Sequence, residues 1–240
     1  MGCARTGLQA QSRSNHATKQ SSTCAGAHTV TRYLYELRRS TPNQGRGGGL
    51  HNAQPQDAGS REDLICTPLK FPATFSPAAC AAIVGLGRSG HEVVAGLAQP
   101  VENYRTGSTQ AILPDRRSAW LYRKVNSLFG AINQWYRFEI IGLVDALLYC
   151  EYPTGTHFHW HLDAGAHPTG TRKISLSIQL SDDFDYAGGA LEFAALGELN
   201  EARGIGTTIA FPSFLYHRVT TVTAGTRRSL VAWAHGPVFR

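Results

Sequence analysis

Apolar residues change their spacing along this chain of 240 residues. Through residues 1–60 they are sparse and unclustered among Ser, Thr, Gln, Gly and Arg, with a glycine-rich run at 45–49. So little apolar surface cannot repay the entropy of ordering, which predicts a disordered tail. One stretch, 29–40, groups Tyr33, Leu34 and Leu37 as a helical turn or two. From about residue 64 the pattern sharpens. Ser76 followed by Pro77 and an apolar series at Cys80, Ile83 and Val84 predicts a capped helix with a glycine stop near Gly87. Between about 116 and 135, Leu121, Val125, Leu128, Ile132 and Trp135 recur at steps of four and three. That is one stripe of a second helix, which must pack on something flat.

After about residue 144 the period shortens towards two. The segments 146–152, 156–163, 172–180, 189–194, 206–211, 215–219 and 227–234 are rich in β-branched and aromatic residues and are separated by Gly, Pro, Asp and Thr. They predict short strands in a sandwich or small barrel, with the two helices covering one sheet. The fold class is thus mainly β with supporting helices. The division that follows is a basic tail over 1–62 and one domain over 63–240, with helical support in 63–143 and the strand core in 144–240.

Charge and cysteine usage narrow the class. The chain carries +6 overall, of which +5 sits in 1–62 and only +1 in 63–240, so the folded part has no polyanion-binding character and nucleic acid is not an expected partner. Cys3, Cys24, Cys66, Cys80 and Cys150 form no C-x-x-C pair, as expected of free thiols in a reducing, cytoplasmic setting. No apolar run is long enough to span a membrane. The opening MGCART fits an N-myristoylation pattern at Gly2, and the acid-free stretch before Glu36 fits a transit peptide.

The candidate chemistry lies between residues 152 and 229. On a strand over 156–163, His161 and Asp163 occupy alternate positions and point to one face. Joined by an imidazole from a distant strand, for which His217 is the candidate, they make the two-His, one-carboxylate facial triad of non-haem Fe(II) oxygenases. Arg227 follows ten residues later, with Ser229 on the same face of the next strand. A guanidinium there can grip a carboxylate through two parallel hydrogen bonds, and the serine hydroxyl can add a third.

These residues resemble, in order, the prolyl 4-hydroxylase and PKHD-type group of 2-oxoglutarate/Fe(II) dioxygenases. The match runs from Tyr152, Gly155 and Phe158 into His161-x-Asp163, through RKISLSIQLSD and GGALEF, to FPSFLYHRV with His217, then Gly225, Arg227, Ser229 and Trp233. The resemblance implies a double-stranded β-helix (jelly roll), with Fe(II) held by His161, Asp163 and His217. It implies Arg227 as the partner of the 2-oxoglutarate 5-carboxylate, with Tyr152, Ser177 and Gln179 lining the co-substrate pocket. O2 is the further co-substrate and ascorbate an accessory. The reaction implied is hydroxylation of an unactivated C–H bond as 2-oxoglutarate becomes succinate and CO2.

Two positions depart from the group: Gln179 stands where an aromatic or apolar residue is common, and Thr221 where proline is common. His157, His159 and His167 crowd the same region; His159 is expected on the substrate side or at the surface, His157 solvated at the strand start, and His235 in a structural or surface role. The substrate class stays open between a peptide, an amino acid and a small metabolite, with a prolyl-type residue favoured by analogy. Two other readings stay open: a cupin-like metal-binding barrel using the same three ligands, and an inactive relative serving as a binding module. Arg227 with Ser229 argues against the first, because a metal store has no use for a carboxylate clamp, and the intact triad argues against the second.

Overall fold

The computed structural model describes residues 65–93, 104–166, 168–198 and 203–239. The expectations for the tail, for the turn near Tyr33, for the address at Gly2 and for His167 lie outside the described residues. The first part of the chain gives β1 (Leu69–Phe71), α1 (Pro77–Arg88), β2 (His91–Glu92), β3 (Ser108–Ile112) and α2 (Ala119–Tyr136). Next come β4 (Gly142–Leu143), β5 (Leu147–Pro153), β6 (Phe158–His161), β7 (Arg172–Gln179), β8 (Tyr186–Gly188) and β9 (Leu191–Phe193). The chain closes with β10 (Gly197–Glu198), β11 (Thr208–Pro212), β12 (His217–Val219) and β13 (Val222–His235).

The strands form two antiparallel sheets. The larger runs β1-β11-β7-β13-β5-β3-β2, with β4 and β8 also paired to β13; the smaller runs β10-β9-β12-β6. Alternation along the central strands of the larger sheet shows what each face does. Ile174, Leu176 and Ile178 of β7, Leu230, Ala232 and Ala234 of β13, and Leu147 and Tyr149 of β5 join Leu121, Val125, Leu128 and Ile132 of α2 in one core. The opposite parity faces a cavity between the sheets, where Cys150, Tyr152, Ser177, Arg227 and Ser229 lie. This is the mainly β architecture with supporting helices that the periodicity predicts, and each predicted strand segment contains a strand. The alternation rule passes over β1, β2, β4, β8 and β10, which are two or three residues long, and β3, whose sequence STQAI buries a threonine and so shows no apolar alternation.

Both helices follow from their sequences. In α1 the Ser76 hydroxyl accepts from the Ala79 N–H and Pro77 occupies the first turn, as expected. In α2 Leu121, Val125, Leu128 and Ile132 are buried and Trp135 is half-buried. A second row, Tyr122, Phe129 and Tyr136, is buried beside them, and its phenols tie the helix to the sheet. Tyr122 donates to the Ile112 carbonyl at 2.6 Å and Tyr136 to the Ala210 carbonyl at 2.9 Å.

Gly87 does not stop α1. The helix runs through it to Arg88 and is capped at Ser89, whose hydroxyl reaches the Leu86 carbonyl at 3.0 Å. Gly87 instead lets the helix lie against β5, because a Cβ there would sit 2.2 Å from Tyr149 Cγ. A second glycine is required at Gly225, where β13 passes β8 at φ 71° and a Cβ would meet the Asp185 carbonyl oxygen at 2.0 Å.

Gly87→Ala should therefore destabilise the protein by about 1–3 kcal/mol through overpacking, although alanine is the better helix former. A fall in the urea midpoint checks this; an unchanged or raised midpoint would show that Tyr149 yields.

Candidate functional site

The smaller sheet carries the nitrogen donors. β6 ends on His161, β12 begins on His217, and the pairing sets these two residues opposite each other. Their ring centroids are 4.1 Å apart. Each Nδ1 lies against the carbonyl two residues back, at 2.7 Å from His159 O for His161 and 2.8 Å from Leu215 O for His217. A carbonyl only accepts, so both Nδ1 atoms carry hydrogen and both Nε2 atoms present a lone pair. Packing holds the rings in place: Phe158 stacks on His161 at 3.7 Å, and Phe211 lies edge-on to His217 at 4.6 Å.

Asp163 reaches the same point by a route that alternation does not predict. β6 stops at His161, so Asp163 is not a strand residue. The chain turns after His161 because the N–H groups of Asp163 and Ala164 both donate to the Ser213 carbonyl, at 3.0 and 2.8 Å. The carboxylate is then fixed by the Ser175 hydroxyl, 2.7 Å from Oδ2. His161 Nε2 and His217 Nε2 each stand 3.7 Å from one of its two oxygens.

All three ligand atoms lie within 4.8 Å of one another. The 3.7 Å between each Nε2 and the carboxylate is within the span of two bonds of roughly 2.1 Å to a divalent ion, and two imidazole nitrogens with one carboxylate suit a first-row transition metal. Burial and the adjacent His217 ring push the His161 imidazole down to about 4, which keeps its lone pair free. Burial alone would raise the Asp163 carboxyl, but His217, His161 and the Ser175 hydroxyl hold it below the usual carboxylate range.

The triad opens onto a cavity that is continuous with solvent. Arg227, only 2% exposed, lines it and donates from Nη1 to Ser229 Oγ at 3.4 Å. The Arg227 guanidinium lies 5.7 Å from the centroid of the Tyr152 ring. No acidic side chain among the described residues forms an ion pair with it. Tyr152, Ser177 and Ser229 line the same cavity. Gln179 lies outside the lining, with its amide nitrogen donating to the Tyr186 hydroxyl. His159 is exposed and His157 half-buried, their rings 4.6 Å apart and neither in the cavity wall. His235 is buried between Thr171 Oγ1, at 2.9 Å, and Asp145 Oδ2, at 3.1 Å.

Three contributors were not legible beforehand. Ser175 shares the face of Ser177 on β7, so carrying that parity one step further finds it. Ser213 acts through its backbone carbonyl, which no residue type announces. Arg105 enters the cavity wall just ahead of β3, a strand the periodicity does not reveal.

Residues 147–235 match the sequence model of the 2OG-Fe(II) oxygenase superfamily. A PKHD-type hydroxylase of Thermosynechococcus vestitus is 35% identical over 142 residues, covering 57% of this chain and 57% of that protein. A PKHD-type hydroxylase of Picosynechococcus is 38% identical over 92 residues, covering 38% of this chain and 42% of that protein. The chain thus spans about half the length of the curated relatives it matches. Among solved structures, a Pseudomonas putida prolyl-4-hydroxylase superposes with a TM-score of 0.58 at 20% identity, over 74% of this chain and 97% of that one. A Trichoplax adhaerens prolyl hydroxylase, solved with a hypoxia inducible factor peptide fragment, superposes with a TM-score of 0.59 at 14% identity, over 91% and 94%. These likenesses show the double-stranded β-helix fold.

Because His161 stays neutral in the folded protein down to about pH 4 while an unfolded histidine takes up a proton near 6.5, the unfolded state binds the extra proton in that window. The metal-free protein should therefore lose up to about 3 kcal/mol of stability as pH falls from 6.5 towards 4. Urea midpoints across the range test this, with a smaller loss expected for His161→Asn and an equal loss arguing against it.

Proposed function

Because residues 147–235 of this chain carry the 2OG-Fe(II) oxygenase pattern, we propose that the protein is an Fe(II)- and 2-oxoglutarate-dependent hydroxylase acting on a prolyl-type residue of a peptide or on an amino acid. The observation that carries this reading is the pairing of two features in one cavity. One is the trio of donors with lone pairs turned inwards; the other is a buried guanidinium that no acid of the described chain neutralises. A metal-storage barrel needs the first and has no use for the second.

In this reading His161, Asp163 and His217 hold the iron, and Arg227 with Ser229 pairs with the distal carboxylate of 2-oxoglutarate. Tyr152 and Ser177 shape the wall around that co-substrate. When bound, iron with 2-oxoglutarate and O2 would supply the oxidation of a C–H bond to C–OH, one oxygen atom of O2 going to the substrate and the other to succinate as 2-oxoglutarate loses CO2. The chain's own contribution is positional. The two Nδ1–H bonds aim the imidazoles, the Ser175 hydroxyl orients the carboxylate, and the phenylalanines around the histidines exclude water. The peptide preference rests on the prolyl hydroxylases among the structural neighbours. Residues 63–240 form the single oxygenase domain of this reading.

Anaerobic addition of Fe(II) and 2-oxoglutarate should produce the weak visible charge-transfer band of the chelate, and Asp163→Ala should abolish it. A colourless wild-type mixture, or a band that survives in Asp163→Ala, overturns the proposal. Arg227→Ala should raise the KM for 2-oxoglutarate roughly tenfold to a hundredfold, the equivalent of losing charge-assisted hydrogen bonds.

A further inference from the structure

Arg105 is neither one of the three metal donors nor part of the Arg227–Ser229 pair, yet it lines the same cavity. Its backbone bridges to Phe158, and its guanidinium lies over the Phe158 ring at 4.7 Å. Phe158 stacks in turn on His161 at 3.7 Å, so Arg105 sits one ring away from a metal ligand. Nη2 donates to Cys150 Sγ at 2.9 Å and to Tyr152 Oη at 3.1 Å, both neutral partners. Nε is buried with no partner. No carboxylate among the described residues forms an ion pair with this side chain.

A guanidinium cannot shed its charge, and keeping one buried without an anion costs several kcal/mol. Arg105 is half-buried with its Nε enclosed, so the reasoning that gives Arg227 an anionic partner applies to the enclosed part of its guanidinium. The two cations address one space: Arg227 lies 5.7 Å and Arg105 5.8 Å from the centre of the Tyr152 ring. With neutral imidazoles, the described residues that line the cavity set these two guanidinium charges against the Asp163 carboxylate. Fe(II) adds two positive charges and 2-oxoglutarate two negative ones. One positive charge is left over in a site walled by Phe158, Phe211 and Trp233, where low dielectric makes it costly.

We propose that Arg105 is a substrate-binding residue that reads a carboxylate on the molecule being hydroxylated, one close to the reacting carbon as in a free or N-acylated amino acid. This deepens the hydroxylase reading and rests on it. The neutral thiol and phenol hold one edge of the guanidinium in place. The bound carboxylate completes its charge and sets the substrate beside the iron ligands.

The test is calorimetric titration of the anaerobic Fe(II)- and 2-oxoglutarate-loaded full chain with a panel of N-acetyl amino acids, N-acetyl-L-proline among them, and the corresponding amides. Each pair differs by one negative charge. In the wild type at least one acid should bind at least tenfold more tightly than its amide. Arg105→Gln should erase the preference, Arg105→Lys should keep part of it, and affinity for 2-oxoglutarate should stay within twofold in both variants. Equal binding of acids and amides by the wild type, or no binding across the panel, overturns the proposal without recourse to a variant. A tenfold loss of 2-oxoglutarate affinity in Arg105→Gln also overturns it, since Arg105 would then serve the co-substrate. Absence of the charge-transfer band in the wild type sinks the hydroxylase reading and this proposal together, whereas a normal band without acid preference sinks this proposal alone.

Discussion

The site depends on the antiparallel pairing of β6 with β12. These strands are only four and three residues long, yet their register sets His161 opposite His217 and turns both rings to the same side. A slip of one residue would send one imidazole to the outer face, because side chains alternate along a strand. Short strands pin register poorly by themselves. Here the register is held by the aromatic rings of Phe158, Phe193 and Phe211 around the histidines, and by the carbonyls of His159 and Leu215 beneath them.

Ser213 joins this pair to the carboxylate. Its carbonyl takes two N–H groups from the turn that carries Asp163, its own N–H donates to Lys173 O, and its hydroxyl meets Ser175 Oγ at 2.9 Å. Ser175 in turn holds Asp163. One residue after β11 thus ties the smaller sheet to the larger at the point where three donors converge. The larger sheet works differently on its two faces. Its helix-facing parity is aliphatic and aromatic, while its cavity parity places Ser175, Ser177, Arg227 and Ser229 out of bulk solvent. Burying polar groups is unfavourable unless they are satisfied, so a sheet that keeps them on one inner face does so for what that face binds.

Much of this was legible in the chain. The Ser76 cap, the α2 stripe and the strand segments follow from local periodicity, because each element buries one face and the spacing records which. His161, Asp163 and His217 stand out because an imidazole and a carboxylate two residues apart, with a second imidazole far along the chain, are unusual company. The failures have one cause. Gly87 looks like a helix terminator until β5 is seen against it, and Asp163 looks like a strand residue until Ser213 takes its N–H. Arg105 looks like any surface arginine until Phe158 and Tyr152 close over it.

By itself the sequence determined the residue types, their periodicity and the order of the motifs, since propensity, amphipathic spacing and donor chemistry are properties of near neighbours. Only the tertiary structure decided that both Nε2 atoms face Asp163, that Gln179 donates to the Tyr186 hydroxyl, and that two guanidinium groups with no ion-pair partner among the described residues line one cavity. Those outcomes depend on contacts between residues tens of positions apart, and no local pattern records which side chains will meet when two sheets close on each other.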